Sequence, residues 1–253
     1  MDVYGSNVKS SNITNIIFIF LLFSVFLISH ANIINDNLIG IQKANNLAQL
    51  IHAKHSSTFY CNCIYNNKIV DLKSCGYKIQ KNQKRAKKLE CEHIVPVSVL
   101  AKNLPCWTRP LCCNNKSCYK GRTCCQKIDP IFLKMATDLH NIVPIIGELN
   151  GIRSNYGFSE LPHIKPNQFG CCHFKIDRKN KKVEPRSAVK GIIARTYLYM
   201  ANSYQITLSQ EEQKLFLKWN KQYPPTTWEL NWNKRAAKIQ HNDNFYISKY
   251  YNQ

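Results

Sequence analysis

Twelve cysteines, all between residues 61 and 172, constrain what this chain can fold into more than any other feature. They follow an apolar run, Ile16–Ile28, broken only by Ser24, with Lys9 ahead of it and Ser29-His30-Ala31 behind it. The run is shorter than the roughly 20 residues that a membrane span needs. A basic residue, a short apolar stretch and a small-x-small site together read as a cleaved export signal over residues 1–31, with an uncleaved anchor as the alternative because the segment ahead of the run is long and weakly basic. An even number of cysteines behind such a signal reads as a disulfide framework made in an oxidising compartment. Zinc is the rival reading, because Cys61-x-Cys63 and the cluster from Cys112 to Cys125 resemble ligand knuckles. Structural zinc sites use regularly spaced cysteine pairs. The spacings here are irregular and three of the pairs are vicinal, so disulfides are expected.

Apolar periodicity divides the remaining chain into short elements. Leu38, Ile41, Ala44, Leu47, Leu50 and Ile51 recur at helical spacing, predicting a helix over 36–53 with Asp36 as its N-cap. Phe59–Ile64 and Lys68–Leu72 predict two strands about a turn at Asn66-Asn67. A basic connection, 80–90, leads to a strand end at Cys91–Pro96. Residues 102–127 are rich in cysteine, asparagine and lysine and have no period, which predicts a functional loop held by disulfides. Asp129 and Pro130 open a predicted helix to Thr137. Asp138–Ile145 reads as extended, 147–156 as a short helix or turn, and 161–179 as strand. Helices are predicted over 187–203, over 210–223 with a Ser209/Glu212 capping box, and over 227–240. The fold class is therefore α+β: one mixed domain over 32–253, disulfide-stapled, with a helical C-terminal third.

Charge points to a polyanionic partner. The chain has 35 Lys+Arg against 15 Asp+Glu, a net charge of +20. Residues 1–31 hold only Asp2 and Lys9 as charged groups, so the basicity belongs to the exported part. Two segments carry chemistry that suits such a partner. The first is Cys91-Glu92-His93-Ile94-Val95-Pro96; the second runs from Asp138-Leu139-His140-Asn141 into Gly147-Glu148-Leu149-Asn150-Gly151. Phosphodiester hydrolysis needs a base for water, neutralisation of phosphate charge, and stabilisation of the departing oxygen. The His93 imidazole suits the first task. Magnesium suits the last, with Glu92 and Asn150 as a sparse set of oxygen ligands. Arg122 is the candidate for the phosphate, because its planar fork matches two oxygens. Adjacent Glu92 and His93 point to opposite faces of a strand, so one can hold metal while the other faces water.

The chain resembles the bacterial endonuclease I family of periplasmic or secreted nucleases, which has a ββα-metal (His-Me finger) active site. The resemblance rests on Phe59-Tyr60-Cys61-x-Cys63, Asp71-Leu72-x-Ser74-Cys75-Gly76-Tyr77 and Glu92-His93-x-Val95-Pro96. It continues through Cys106-Trp107, Asp138-Leu139-His140-Asn141 and Gly147-Glu148-x-Asn150-Gly151-x-Arg153-Ser154-Asn155, then Glu184-Pro185, the Gly191–Met200 segment and Phe216-x-x-Trp219-Asn220. It implies cleavage of DNA and RNA with little sequence preference, supported by Mg2+, or by other cations such as Mn2+ or Ca2+. It implies His93 as general base, Glu92 and Asn150 as metal ligands in preference to Asn141 or Asn155, and Arg122 at the phosphate. It also implies a monomer in the periplasm or medium, without stable membrane association once the signal is removed.

The chain departs from that family in places. Cys91 stands where tryptophan is common and Ile152 where aspartate is, and the acidic residue that many members carry near Ala136, to help orient the catalytic histidine, is absent. Residues 108–124 contain an insertion, and Leu230 stands where some relatives have a late cysteine. His140, Asp138, Arg195, Tyr197 and Tyr199 are expected to be structural, and Trp107 and Trp219 to be core. Arg153 and Lys190 are candidate phosphate contacts. Two other classes remain in view. A non-catalytic nucleic-acid-binding protein needs the basic surface but not Glu92, His93 and Asn150 together; a zinc module needs free thiolates.

Overall fold

The computed structural model describes residues 39–251, together with Met1, so the predicted signal over 1–31 and the predicted Asp36 cap lie outside the described residues. Helix α1 (Ile41–His52) begins after Gly40, with no side-chain cap, and buries Ala44, Ala48, Ile51 and His52. Leu50, placed on the apolar stripe by periodicity, is exposed. A hairpin follows, β1 (Tyr65–Asn66) and β2 (Ile69–Val70), with Tyr65 opposite Val70 and Asn66 opposite Ile69. Its turn residues Asn67 and Lys68 have φ of 45° and 67°, as a two-residue hairpin turn requires. The strand predicted over Phe59–Ile64 is turns instead. Cys61 is tied to Cys172 and Cys63 to Cys75, and Asn62 between them sits at φ 60°, which no strand tolerates.

Helix α2 (Gln83–Ala86) interrupts the basic connection, capped by the Asn82 side chain, which accepts from the Arg85 amide. Strand β3 (Leu89–His93) comes next. The unpatterned region then makes an excursion: α3 (Val97–Leu100), α4 (Pro105–Thr108), the hairpin β4 (Cys112–Cys113) and β5 (Cys118–Tyr119), and α5 (Arg122–Ile128). Three disulfides hold it, Cys106–Cys125, Cys112–Cys124 and Cys113–Cys118. Five disulfides pair ten of the twelve cysteines, and Cys91 and Cys171 are free. Ten cysteines are thus disulfides and not the free thiolates that a zinc module needs, and no three His, Cys, Asp or Glu residues group as a metal site among the described residues.

Helix α6 (Pro130–Ala136) starts as its sequence predicts, with the Asp129 side chain accepting from the Phe132 amide and proline at the first turn. Strand β6 (Ile142–Ile146) is buried along its whole length and pairs antiparallel with β3. Pro144 fits because the sheet has only two strands and needs no donor there. Helix α7 (Gly147–Arg153) follows β6 with no loop between them. A three-stranded sheet is built from β7 (Gly157–Phe158), β8 (Lys175–Asp177) and β9 (Lys182–Glu184), in the order β7-β9-β8. Most of the predicted strand over 161–179 is therefore turns, because Cys172 is tied back to Cys61.

The last third is helical, as expected: α8 (Ser187–Tyr204), α9 (Gln210–Gln222), α10 (Thr227–Gln240) and a further short α11 (Phe245–Ser248). Ser209 and Glu212 form the predicted capping box of α9. Helix α8 is buried on all sides from Val189 to Met200, which marks it as the centre of the core. Arg195 is fully buried there against Glu229, at 2.7 Å and 2.5 Å. Asp138 accepts from the hydroxyls of Tyr199 and Tyr204, both at 2.7 Å, and from Gln240 at 3.0 Å. It thereby locks the approach to β6 against α8 and α10, which is the structural role expected of Asp138 and Tyr199. No described helix is long and apolar enough to cross a membrane.

Candidate active site

Pairing of β3 with β6 sets Glu92 opposite Val143 and His93 opposite Ile142. Because α7 leaves β6 directly, its first turn returns Asn150 to the side of β3. Helix α5 brings Arg122 from the excursion. Glu92, His93, Arg122 and Asn150 all line one cleft of about 270 Å³, together with Asn45, Cys91, Arg153 and Asn155. The four residues singled out in the sequence thus meet, although the segments carrying them are far apart in the chain.

Burial sets the electrostatics. The imidazole Nε2 of His93 lies 2.8 Å from the Ala136 carbonyl oxygen. A carbonyl only accepts, so Nε2 carries the proton and Nδ1 of the neutral ring is the acceptor. The last turn of α6 therefore orients the ring through backbone, and the acidic side chain missing at Ala136 is not needed for that task. Burial lowers the His93 pKa to about 4, and the charges of Arg122 and Arg153 act in the same direction. The ring is neutral, and able to accept a proton, well below neutral pH.

Glu92 is buried beside Arg153, with Oε1 2.8 Å from Nη1. Burial raises its pKa to about 7, against the pull of Arg153. Oε1 makes no well-aligned hydrogen bond, so Arg153 meets it as an ion pair and not as a directed donor. Arg153 is not the phosphate contact its sequence position suggests. It is buried, donates to the carbonyls of His93 at 3.0 Å and Ile94 at 2.6 Å, and lies 5.1 Å from the Phe158 ring centre. Lys190 is likewise enclosed, on Glu184 at 2.7 Å.

Asn150 donates from Nδ2 to Glu90 Oε2 at 2.9 Å, which leaves Oδ1 as its open acceptor. Asn141 has both amide ends engaged by Val95, accepting from its amide at 2.7 Å and donating to its carbonyl at 3.0 Å. That difference favours Asn150 as an oxygen ligand. Arg122 is the first residue of α5, after Gly121 at φ 87°, and its helix is stapled through Cys124 and Cys125. Cys91 lines the same cleft, with Sγ 3.6 Å from the Asn45 carbonyl oxygen and 3.6 Å from Gln49 Nε2. Glu92 and Asn150 are hard oxygen donors, and magnesium keeps several waters beside one or two such ligands, so the pair fits that ion.

A family model for endonuclease I matches residues 31–250. The chain belongs to the endonuclease I family. It is 40% identical over 235 residues to an "Endonuclease-1" of Buchnera aphidicola subsp. Baizongia pistaciae (strain Bp), covering 91% of each chain. It is 40% identical over 204 residues to a "Periplasmic deoxyribonuclease" of Aeromonas hydrophila, covering 79% of this chain and 81% of that one. An "Extracellular deoxyribonuclease" of Aeromonas hydrophila is 38% identical over 219 residues, covering 85% of this chain and 90% of its own.

Two side chains of this endonuclease escape a reading of its sequence. Arg153 looks like any basic residue on a short helix, and only burial reveals it as the counter-charge of Glu92. Glu90 sits in a basic stretch, where a surface ion pair is the ordinary expectation. The one available signal is its spacing: in a strand, Glu90 and Glu92 share a face.

Proposed function

We propose that this endonuclease is exported by a signal over residues 1–31 and hydrolyses DNA and RNA with magnesium, using one nuclease domain over 32–253. The convergence of Glu92, His93, Asn150 and Arg122 on one cleft carries the reading. The antiparallel pair β3–β6 running straight into α7 supports a ββα-metal core. His93 Nδ1 accepts the proton of the attacking water while Nε2 stays on the Ala136 carbonyl. Arg122 meets the negative oxygens of the scissile phosphate with a planar fork. Glu92 and Asn150 hold the metal; when bound, magnesium stabilises charge on the departing 3′-oxygen. Arg153 keeps Glu92 in place between metal-binding events, because an unpaired buried carboxylate is strongly disfavoured.

Little sequence preference is what the family resemblance implies, and a net charge of +20 fits it, since phosphate contacts supply affinity without reading bases. The names of the Aeromonas relatives, periplasmic and extracellular, support action outside the cytoplasm. The test is digestion of plasmid and RNA by the oxidised protein with magnesium or excess EDTA, beside His93→Ala. Magnesium-dependent cleavage, reduced at least about a hundredfold in the variant with nucleic-acid binding retained, is the expected result. Cleavage unchanged in His93→Ala overturns the base assignment; cleavage unchanged in EDTA overturns the metal.

A further inference from the structure

Helix α7 carries two glycines one turn apart, Gly147 and Gly151, on either side of the proposed ligand Asn150. Neither has a positive φ, so conformation does not explain them. Their surroundings do. A Cβ on Gly147 would sit 2.7 Å from Glu90 Oε1 and 2.8 Å from the Arg85 carbonyl oxygen. A Cβ on Gly151 would run into the Arg85 guanidinium. The bare helix surface is thus the bed of an ion pair. Arg85 donates from Nε to Glu90 Oε1 at 2.8 Å and from Nη2 to Oε2 at 2.9 Å. Glu90 Oε2 also accepts from Asn150 Nδ2 at 2.9 Å.

An amide side chain has two ends of similar size and opposite polarity, and a cation discriminates absolutely between them. Without a partner, Asn150 could turn its NH2 group toward the metal. A carboxylate on its other side can take only the NH2 end, and so turns the carbonyl end outward. Arg85 holds that carboxylate in a two-pronged grip, and Asn82 caps the short helix that carries Arg85. We propose that Glu90 is a positioning residue for metal binding: clamped by Arg85 on the Gly147–Gly151 surface, it fixes the Asn150 amide with Oδ1 toward the cation. The inference rests on the metal site proposed above.

Calorimetric titration of the oxidised protein with Mn2+, without nucleic acid, tests it. Glu90→Ala should weaken Mn2+ roughly tenfold to a hundredfold, the usual effect of losing an outer partner of a metal ligand. The decisive comparison reverses the polarity of the pair. Asn150→Asp alone sets two carboxylates face to face; adding Glu90→Gln restores a donor opposite the new acceptor. Orientation by hydrogen bonding predicts that the double variant binds Mn2+ more tightly than Asn150→Asp alone. Simple charge attraction predicts the opposite, because the double variant has one negative charge fewer. A double variant that binds no more tightly than Asn150→Asp overturns the inference, as does a folded Glu90→Ala within twofold of the parent. If the parent protein itself binds no Mn2+, the metal site falls and Glu90 has nothing to position.

Discussion

The two halves of the candidate site are held by different physics. Glu92 and His93 stand on β3 and Asn150 on α7, packed with β6 in a unit where Ile142, Val143, Ile145, Ile146 and Leu149 are fully buried. Arg122 stands on the excursion, whose core is small: chiefly Ala101, Phe132, Ala136 and four cysteines, three of them in α4 and α5. Packing fixes the first group, and covalent cross-links fix the second. A base and a metal ligand must keep their geometry to fractions of an ångström, whereas a cation meeting a flexible phosphate chain tolerates more. The stapled arm therefore carries the less demanding part of the chemistry, and an insertion there leaves the central unit intact.

The largest effect should come from the packed half. Glu92→Ala removes a proposed ligand and leaves Arg153 charged and buried. Activity should fall at least about a hundredfold, because a bound metal supplies several kcal/mol of charge stabilisation, and stability by about 3–5 kcal/mol. Urea unfolding and cleavage rates measure both. A variant that loses activity but no stability would show that Arg153 finds another partner.

Breaking the stapled half should separate activity from stability. Cys112→Ser together with Cys124→Ser opens a loop with a separation of 12 residues. The staple contributes up to roughly 3 kcal/mol to the order of the arm. The expected outcome is a raised KM and a lowered kcat, with the main unfolding transition little changed. Ile145→Ala should do the converse, costing about 2–5 kcal/mol while the folded fraction stays active. If both variants lower stability and activity together, the two halves are one cooperative unit.

Acid sharpens the contrast further. His52 and His93 have folded pKa values lowered to about 4, chiefly by burial. Between pH 6.5 and 4 the unfolded chain takes up two protons that the folded chain refuses, so stability falls on acidification through that window. Glu92, raised to about 7 by burial, acts in the opposite sense above pH 4.5 and offsets one of them. These three groups together contribute a slope of about one proton, roughly 1.4 kcal/mol per pH unit. Saturating magnesium holds Glu92 ionised and should steepen the slope toward two. For the same reason, the acid limb of cleavage should move to lower pH as magnesium rises. A limb that ignores magnesium would belong to a group other than Glu92.

Much of this was legible in the sequence, for identifiable reasons. The caps at Asp129 and Ser209 and the three C-terminal helices are local matters of propensity and short-range hydrogen bonds, and they stand where they were expected. Glu92, His93 and Arg122 were legible because each chemical task admits few side chains, whereas the choice of Asn150 over Asn141 or Asn155 leaned on the family resemblance. Long-range cross-links were not: Cys61–Cys172 turns two predicted strands into turns, and no local pattern announces that pairing. Nor was the direction in which a cation points. Arg153 and Lys190 read as candidate phosphate contacts and are buried against carboxylates placed by tertiary structure.

The smallest prediction lies at the seam between the two halves. Helix α6 joins the stapled arm to the central unit, and its last residue, Ala136, offers the carbonyl that orients His93. Its first turn is held by Asp129, whose side chain accepts from the Phe132 amide at 2.9 Å. Asp129→Ala removes that cap and should cost about 1 kcal/mol. If α6 behaves as a rigid strut, loosening its start also loosens the Ala136 carbonyl, and kcat falls a few-fold while KM and Mn2+ affinity hold. Asp129→Asn, which keeps an acceptor, should restore both stability and kcat. A loss of stability without any change in kcat would instead place the orientation of His93 in the packing around Ala136, which is fully buried, and not in the helix that carries it.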